Sequence, residues 1–368
     1  MPLEELSSIE YIVVNATALD QSGALTILKQ FISHAGSDHN NYLCFVPENL
    51  SLKCPDNIKL VFVKKKGWLS RVLWDAYALK KWLKDNRVNY KKLISLQNTT
   101  VNVDVQQIVY LHQSLPFSDV RWNILKKNEI ILFLYKYFYS FFIFLFATKN
   151  TVYVVQSHWL KKILIDKHKL EDHNVCVVLP EVRLPVVNEP NSLNLHKEKF
   201  SILYPATPLV YKNHLLLLKS LYLIKKRKEN SQIILNVTFK PPDYVMFHKL
   251  VLDLGLADSV NYLGVISYDC LIEKYKSADL VVFPSYIETF GLPLLEAACL
   301  GKKILASDTE FSREVLDGYS GVEYLNYKKP ELWADAIELQ LANKGLNRED
   351  YYFSYKPTSS WNDFFKLI

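Results

Sequence analysis

"LVVFPSYIETFGLPLLEAACLG" (Leu280–Gly301) reads as a buried strand, a loop and a short helix. Leu280–Phe283 is a continuous apolar run, as a parallel strand covered on both faces requires. Pro284 and Ser285 end it. Pro293 suits the first helical position, where a missing N–H costs nothing, and Gly301 suits the position just past the helix end. A helix is therefore expected over Pro293–Leu300, opening at Gly291. Glycine lets a ligand approach the backbone closely. The free N–H groups of the first turn, with the partial positive charge of the helix end, suit a phosphate. Glu288 and Glu296 are too far apart along the chain for a direct helical pair, yet near enough to reach one bound molecule. Carboxylates beside a diphosphate are repelled by it, so this pair would accept hydrogen bonds from hydroxyls, a ribose on one side and a sugar on the other. Two solvated glutamates on an ordinary strand–loop–helix remain the alternative at this level.

The text on either side has the same grammar. "YIVVNAT", "NYLCFVP", "IKLVFVK", "KLISLQN", "QIVYLHQ" and "TVYVVQS" read as strands, separated by helical stretches such as "RVLWDAYALKKWLKDN" and "HWLKKILIDKHKL". Between Pro180 and Asn194 three prolines and a loss of periodicity mark a linker. The alternation then restarts with "FSILYPA" and "HLLLLKSLYLIKKRK" and runs through "GKKILAS". Strands alternating with helices imply α/β architecture, with mostly parallel sheets covered on both faces. Two doubly wound domains facing a central cleft are expected, at 1–185 and 186–353, with 354–368 a C-terminal helix crossing back to the first. Ligands of such sheets sit at the carboxyl ends of the strands, where "FPSYIETFG" falls.

The chain has 368 residues and is 49% hydrophobic, enough to fill two cores. Its five cysteines show no C-x-x-C spacing, which argues against a zinc site or disulfide frame and suits a reducing compartment. "MPLEELSSIE" is too acidic and polar for a signal peptide. The net charge of +6 lies wholly in residues 1–190, with 23 Lys+Arg against 17 Asp+Glu; the remainder holds 21 of each. The basic residues are scattered and carry no RNA-binding signature, and an anionic membrane surface explains the excess as well as nucleic acid does; no nucleic-acid partner is expected.

The segment from Asn261 to Gly318, with E-x7-E around Phe-Gly-Leu-Pro, the preceding "ADLVVFPS" and then "SREVLDG", resembles the nucleotide-sugar domain of family-4 retaining glycosyltransferases of the GT-B fold. "YPATPLVYKNH" extends the resemblance over most of the second half. "VNATALDQSGALTIL" and "YLHQSLPF" resemble the family's acceptor domain more loosely. The resemblance implies that Glu288 contacts the donor sugar and Glu296 the ribose hydroxyls. It sets the Thr289-Phe290-Gly291-Leu292 backbone near the diphosphate, and matches Lys212 to the lysine that neutralises the leaving phosphate. Gln21–Gly23 matches the turn facing the donor phosphate, Gly23 being followed by Ala24 where the family often has a second glycine. His112 falls where relatives place a histidine near sugar and acceptor. One departure stands out. The family commonly has an arginine five or six residues before the lysine, and Ala206 and Thr207 stand there; Arg183 and Arg71 are candidates to supply the charge.

No D-x-D and no metal-spaced cluster occurs, so no metal or other cofactor is expected; the resemblance implies transfer with retention, Lys212 and backbone amides meeting the leaving-group charge. The expected partners are a nucleotide-sugar donor, GDP- or UDP-linked, and a lipid-linked or oligosaccharide acceptor. The setting implied by the family is assembly of bacterial surface polysaccharide such as O-antigen. A nucleotide-sugar epimerase of related fold and a non-catalytic nucleotide-sugar or glycan-binding protein are the competing readings.

"EIILFLYKYFYSFFIFLFA" (Glu129–Ala147) is of borderline length for a membrane span. A single crossing would part His112 from Lys212 and Glu288. A buried helix, or one lying in the membrane surface, is expected instead. In the second case residues 130–147 and neighbouring lysines (Lys126, Lys127, Lys136 and Lys149, with Lys64, Lys65 and Lys66) would hold a cytoplasmic protein on the inner face of the membrane.

Overall fold

The computed structural model describes residues 4–20, 22–64, 67–127, 129–182, 199–229, 231–344 and 351–368. Gln21, Lys65, Lys66, Arg183 and most of the expected linker lie outside these. The chain divides into two compact units, Met1–Glu181 with Pro357–Ile368, and Val182–Lys356.

In the first unit, β1 (Glu10–Asn15), β2 (Asn41–Pro47), β3 (Ile58–Val63), β4 (Asn89–Ser95), β5 (Gln106–Leu111), β6 (Val152–Val155) and β7 (Val175–Val177) form one sheet in the order β3-β2-β1-β4-β5-β6-β7. Every pairing is parallel. Helices α1 (Glu4–Ser7), α2 (Ser22–Ala35), α3 (Gly67–Leu73), α4 (Leu79–Asp85), α5 (Ile130–Phe144) and α6 (His158–His168) surround it. The burial of β1 from Tyr11 to Asn15 follows from its two-sided packing. Ile12 and Val14 join a core with Leu28 and Phe31 of α2, while Tyr11 and Val13 join another with Trp74, Leu79 and Leu83. Alternate residues of one strand thus feed two cores.

Between α3 and α4 the chain forms a π-helical turn, Trp74–Ala78, where the sequence pattern suggests one continuous α-helix. The wider turn buries Trp74 and Asp75 together. Trp74 Nε1 donates to Asn15 Oδ1 at 3.1 Å, tying the turn to the end of β1.

The apolar helix α5 is neither fully buried nor free. Tyr139 and Ile143, one turn apart, pack against β5, β6 and α6. Other residues of α5 are exposed, Phe138 at 55% and Phe141 at 59%. Among the described residues no helix is long and apolar enough to cross a membrane.

The second unit is built likewise. Its strands β8 (Phe200–Tyr204), β9 (Ile233–Val237), β10 (Val260–Tyr262), β11 (Leu280–Phe283), β12 (Ile304–Ser307) and β13 (Val322–Leu325) lie in the order β10-β9-β8-β11-β12-β13, again all parallel. The helices are α7 (His214–Arg227), α8 (Val245–Asp253), α9 (Tyr268–Ser277), α10 (Leu292–Cys299), α11 (Glu310–Val315) and α12 (Pro330–Ala342). Strand order reverses between β8 and β11 here, and between β1 and β4 in the first unit. At such a reversal the helices leave on opposite faces, which opens a crevice at the strands' carboxyl ends.

The last helix, α13, is confined to Trp361–Phe365 and packs in the first unit. Trp361 stacks on Tyr110 at 5.4 Å and on His34 at 6.0 Å, and its Nε1 donates to Gln30 Oε1 at 3.2 Å.

Candidate functional site

At the reversal of the second unit, the loop after β8 brings Lys212 to the loop after β11. The Lys212 ammonium donates to Glu288 Oε1, with only 15% and 14% of the two side chains exposed. The supporting backbone is tightly specified. Val210–Lys212 is a 3-10 turn, and Asn213 follows in the left-handed region at φ 60°. Asn213 Nδ2 donates to Tyr327 O at 2.9 Å, Tyr204 OH donates to Lys212 O at 2.6 Å, and Tyr286 N donates to Tyr211 O at 3.1 Å. Burial first, then the Glu288 charge, pushes the Tyr211 phenol up to about 12 and raises that of Tyr204. Both hydroxyls therefore stay protonated beside the carboxylate.

Helix α10 begins one residue earlier than Pro293, at Leu292, with Gly291 as its N-cap at φ 96° and ψ 49°. That left-handed conformation is why glycine stands there. Phe290 is buried and Leu292 exposed, so the 289–292 turn leads from the core to the surface at the helix N-terminus. Glu296, in the second turn of α10, is buried and accepts from Tyr275 OH at 3.1 Å. Burial raises its carboxyl to about 7, the Tyr275 hydrogen bond acting the other way. Lys212 and Glu288 are thus in direct contact, while Glu296 has a separate partner on α9.

Ala206 is buried and Thr207 exposed, where the family pattern has arginine. His214 follows Lys212 closely but adds no charge: burial pushes its imidazole down to about 3. Arg71 belongs to the first unit.

The first unit holds a second cluster at its own reversal. Gly23 lies in the first turn of α2, where an added Cβ would meet nothing within 4 Å, so packing within the unit does not demand glycine. His112 follows β5. Its backbone N–H donates to Asn98 Oδ1 at 2.7 Å, and its Nε2 lies 3.1 Å from both Asn98 Nδ2 and Leu96 O. Burial, with the Arg71 charge adding to it, pushes the imidazole down to about 4, so it is neutral at physiological pH. Asn98 itself is held at φ 69°, a left-handed conformation that asparagine tolerates. Beneath it, Asp75 accepts from Asn15 Nδ2, Gln97 Nε2 and Thr99 Oγ1 at 2.8, 3.0 and 2.8 Å.

Sequence reasoning missed Tyr275, Asn98 and Asp75. The run of polar residues Gln97–Thr100 directly after a buried strand was a usable signal for Asn98; Asp75 and Tyr275 had none, because their partners are distant in sequence.

Residues 187–355 match the family described as glycosyl transferases group 1. A D-inositol 3-phosphate glycosyltransferase of Paenarthrobacter aurescens is 31% identical over 157 residues, 42% of this chain and 38% of that protein. The O-antigen chain mannosyltransferase RfbU of Salmonella typhimurium is 35% identical over 97 residues, 26% of this chain and 27% of that one. The match therefore spans well under half the length of either relative. Among solved structures, WaaG, a glycosyltransferase involved in lipopolysaccharide biosynthesis, shares the fold with a TM-score of 0.67 over 91% of this chain and 92% of its own, at 15% identity. Residues 187–355 thus match the glycosyl transferases group 1 family, in a chain whose two parallel-sheet α/β units have the GT-B fold.

Proposed function

We propose that this chain is a retaining glycosyltransferase that moves a sugar from a UDP- or GDP-sugar to a glycan acceptor on a lipid carrier, in assembly of a surface polysaccharide. The observation that carries the reading is the Lys212–Glu288 contact at the strand-order reversal of the second unit, beside a helix N-terminus capped by a left-handed glycine. Lys212 exchanges its carboxylate partner for the donor's leaving phosphate, and the α10 amides take the remaining charge. Glu288, released, orients the sugar, and Glu296 accepts from the ribose hydroxyls. No metal is needed in this scheme. Retention follows a front-face route, in which the departing phosphate helps remove the acceptor's hydroxyl proton. His112, neutral and held by Asn98, serves the acceptor side from the first unit. The similarity to RfbU, whose name assigns it to the O-antigen chain, favours a polysaccharide product.

The same reading makes the protein peripheral on the inner membrane face, where donor sugars and lipid carriers meet. Exposed Phe138 and Phe141 on α5 favour this. Lys136 is a poor contributor, because its ammonium donates to Ser118 O and is partly desolvated. Exposed Lys126, Lys127 and Lys149 are better placed.

A thermal-shift screen over nucleoside diphosphates and nucleotide sugars tests the donor site, since a ligand at 100 times its Kd adds about 2.7 kcal/mol. Transfer to a lipid-linked acceptor, with the product anomer read by NMR, tests the rest. Failure of every nucleotide to stabilise the protein sinks the reading; change of the sugar without an acceptor favours an epimerase.

A further inference from the structure

Helices α3 and α5 meet where the rings of Trp68 and Phe142 pack edge to face at 4.9 Å. Beneath that contact is a small cavity that combines two chemistries. Arg71, Asp75, Thr99, Thr100 and Tyr139 supply its polar wall. Trp68 and Leu145, 43% and 38% exposed, also line it, so it opens onto the exposed apolar face of α3 and α5.

The polar wall offers hydrogen-bond donors. Arg71 presents a guanidinium, a planar fork of five N–H donors, to the cavity. The Thr100 oxygen already accepts from Phe146 N at 3.0 Å, leaving its O–H to donate inward. Asp75 is the one carboxylate in the wall, and three side-chain donors already share its charge. Thr99 Oγ1 donates to Asp75 at 2.8 Å and Tyr139 OH to Gln97 O at 3.3 Å, so the Arg71 fork and the Thr100 hydroxyl are the donors left to the cavity, a set that fits an anion bearing several acceptor oxygens, a phosphate in particular. The neighbourhood is that of His112. Asn98, next to Thr99, holds the imidazole, and the Arg71 charge is felt by both His112 and Tyr139.

We propose that this cavity is the phosphate subsite of a lipid-linked acceptor, with Arg71 as principal ligand and the apolar chain lying along Trp68, Phe142 and Leu145. The inference rests on the glycosyltransferase reading and names the chemistry of its acceptor: a sugar joined through phosphate to a long unsaturated or saturated hydrocarbon. An apolar face alone would take any hydrocarbon, and an arginine alone any anion. Their junction at one opening, lined by the residue next to the Asn98 that holds His112, selects an amphiphile with its charge at the boundary. The assignment also gives Arg71 a role on the acceptor side, where the sequence suggested it as a substitute for the missing donor-side arginine.

The test is binding to the full chain by calorimetry, with farnesyl phosphate below its micellar concentration, farnesol, glucose 1-phosphate and UDP as probes. Farnesyl phosphate should bind at least tenfold more tightly than farnesol or glucose 1-phosphate. Arg71→Gln should weaken farnesyl phosphate by ten- to a hundredfold, the range for loss of a charge-assisted hydrogen bond, and leave farnesol and UDP unchanged. Arg71→Lys should recover part of the loss. If Arg71→Gln fails to fold, Leu145→Glu at the rim should reduce the preference for phosphate over alcohol by repulsion. Equal affinity for farnesyl phosphate and farnesol overturns the proposal, as does an Arg71→Gln protein that keeps the preference. Glucose 1-phosphate binding as tightly as farnesyl phosphate would make this a site for soluble phosphosugars and overturn the lipid part. A fall in UDP affinity in Arg71→Gln would return Arg71 to the donor. Loss of UDP binding in the unaltered protein would instead count against the glycosyltransferase reading itself, so the two failures are separable.

Discussion

Lys212 donates to Glu288 across 76 residues of sequence, and the contact joins the loops after the two strands at which the second sheet reverses its order. Each partner is largely shielded from water, so neither charge is well solvated without the other. Lys212→Ala should therefore cost stability, of order 1–3 kcal/mol, and Glu288→Gln in the same chain should restore part of it. In activity the two substitutions should not compensate. Lys212→Ala should lower kcat by about 10²–10³, as for loss of other donors to developing negative charge, and the double variant should be no better. Urea melts beside steady-state kinetics measure both. Activity should persist in EDTA; an obligate need for Mn²⁺ or Mg²⁺ would falsify the metal-free scheme.

The two glutamates should part company in nucleotide binding. Above pH 7, where its raised carboxyl is ionised, Glu296→Ala should weaken UDP or GDP by about 1.5–3 kcal/mol, the cost of losing hydrogen bonds to a charged acceptor. Glu288→Ala should spare nucleoside diphosphate affinity and lower turnover. Equal losses of diphosphate affinity in calorimetry would refute the division of roles.

Glu296 also gives stability a pH dependence with a definite sign. Burial raises its carboxyl from 4.5 to about 7 in the folded protein. Between those values the native state holds a proton that the unfolded chain has released, so this group's contribution is intact below pH 4.5 and is lost as pH rises through 7. Glu296→Gln, which cannot ionise, should gain on the unaltered protein across that window. The advantage should reach roughly 3 kcal/mol, at 1.36 kcal/mol per unit, and stay level at higher pH. Denaturant melts at pH 4.5, 6 and 8 measure it; a flat difference would mean that the carboxyl ionises normally.

His112 depends on Asn98 for its place. Asn98→Ala removes both hydrogen bonds to the histidine and leaves a Cβ residue at φ 69°, a strain of order 1–2 kcal/mol. Asn98→Gly relieves the strain and not the lost bonds. Both should lower kcat while UDP affinity stays unchanged; both should lose stability through the missing hydrogen bonds, the alanine variant more by the strain. If the glycine variant has full activity, Asn98 serves the backbone turn alone.

Central strands such as β1 and β11 were legible because burial on both faces demands an unbroken apolar run, and their residues are buried without alternation. Edge strands β7 and β13 were not. They have three and four residues, half covered, too short for any period to emerge. Helix α12 passed unnoticed although Pro330 at its start was a readable signal. The π-turn at Trp74–Ala78 was invisible because the apolar pattern runs through it without a break; what it accomplishes, joining Asp75 to Asn15 from 60 residues away, is a tertiary matter. Glu288 and Glu296 were legible as candidates because they flank a strand–loop–helix junction with the signals of a phosphate seat, whereas Lys212 was marked only by the family resemblance of its surroundings. Tyr275, which holds Glu296, is on a helix surface with nothing local to mark it.

The apolar face of α5 carries the last prediction, and its packing decides which side chains can test it. Phe144 contacts Tyr153 at 5.4 Å and His168 at 5.1 Å, so a charge there would damage the first unit's own core. Phe138 and Phe141 are more than half exposed. The protein should sediment with anionic liposomes, because insertion of these rings and attraction by Lys126, Lys127 and Lys149, roughly 1 kcal/mol for each lysine near the surface, act together. High salt should release part of it and detergent all of it, since salt screens only the second contribution. Phe138→Glu with Phe141→Glu should abolish sedimentation, while the melting temperature and UDP binding stay near those of the unaltered chain. A double variant that unfolds would show that this face is covered by protein. One that folds and still sediments would show that the membrane is engaged elsewhere, and α5 would lose its assigned role.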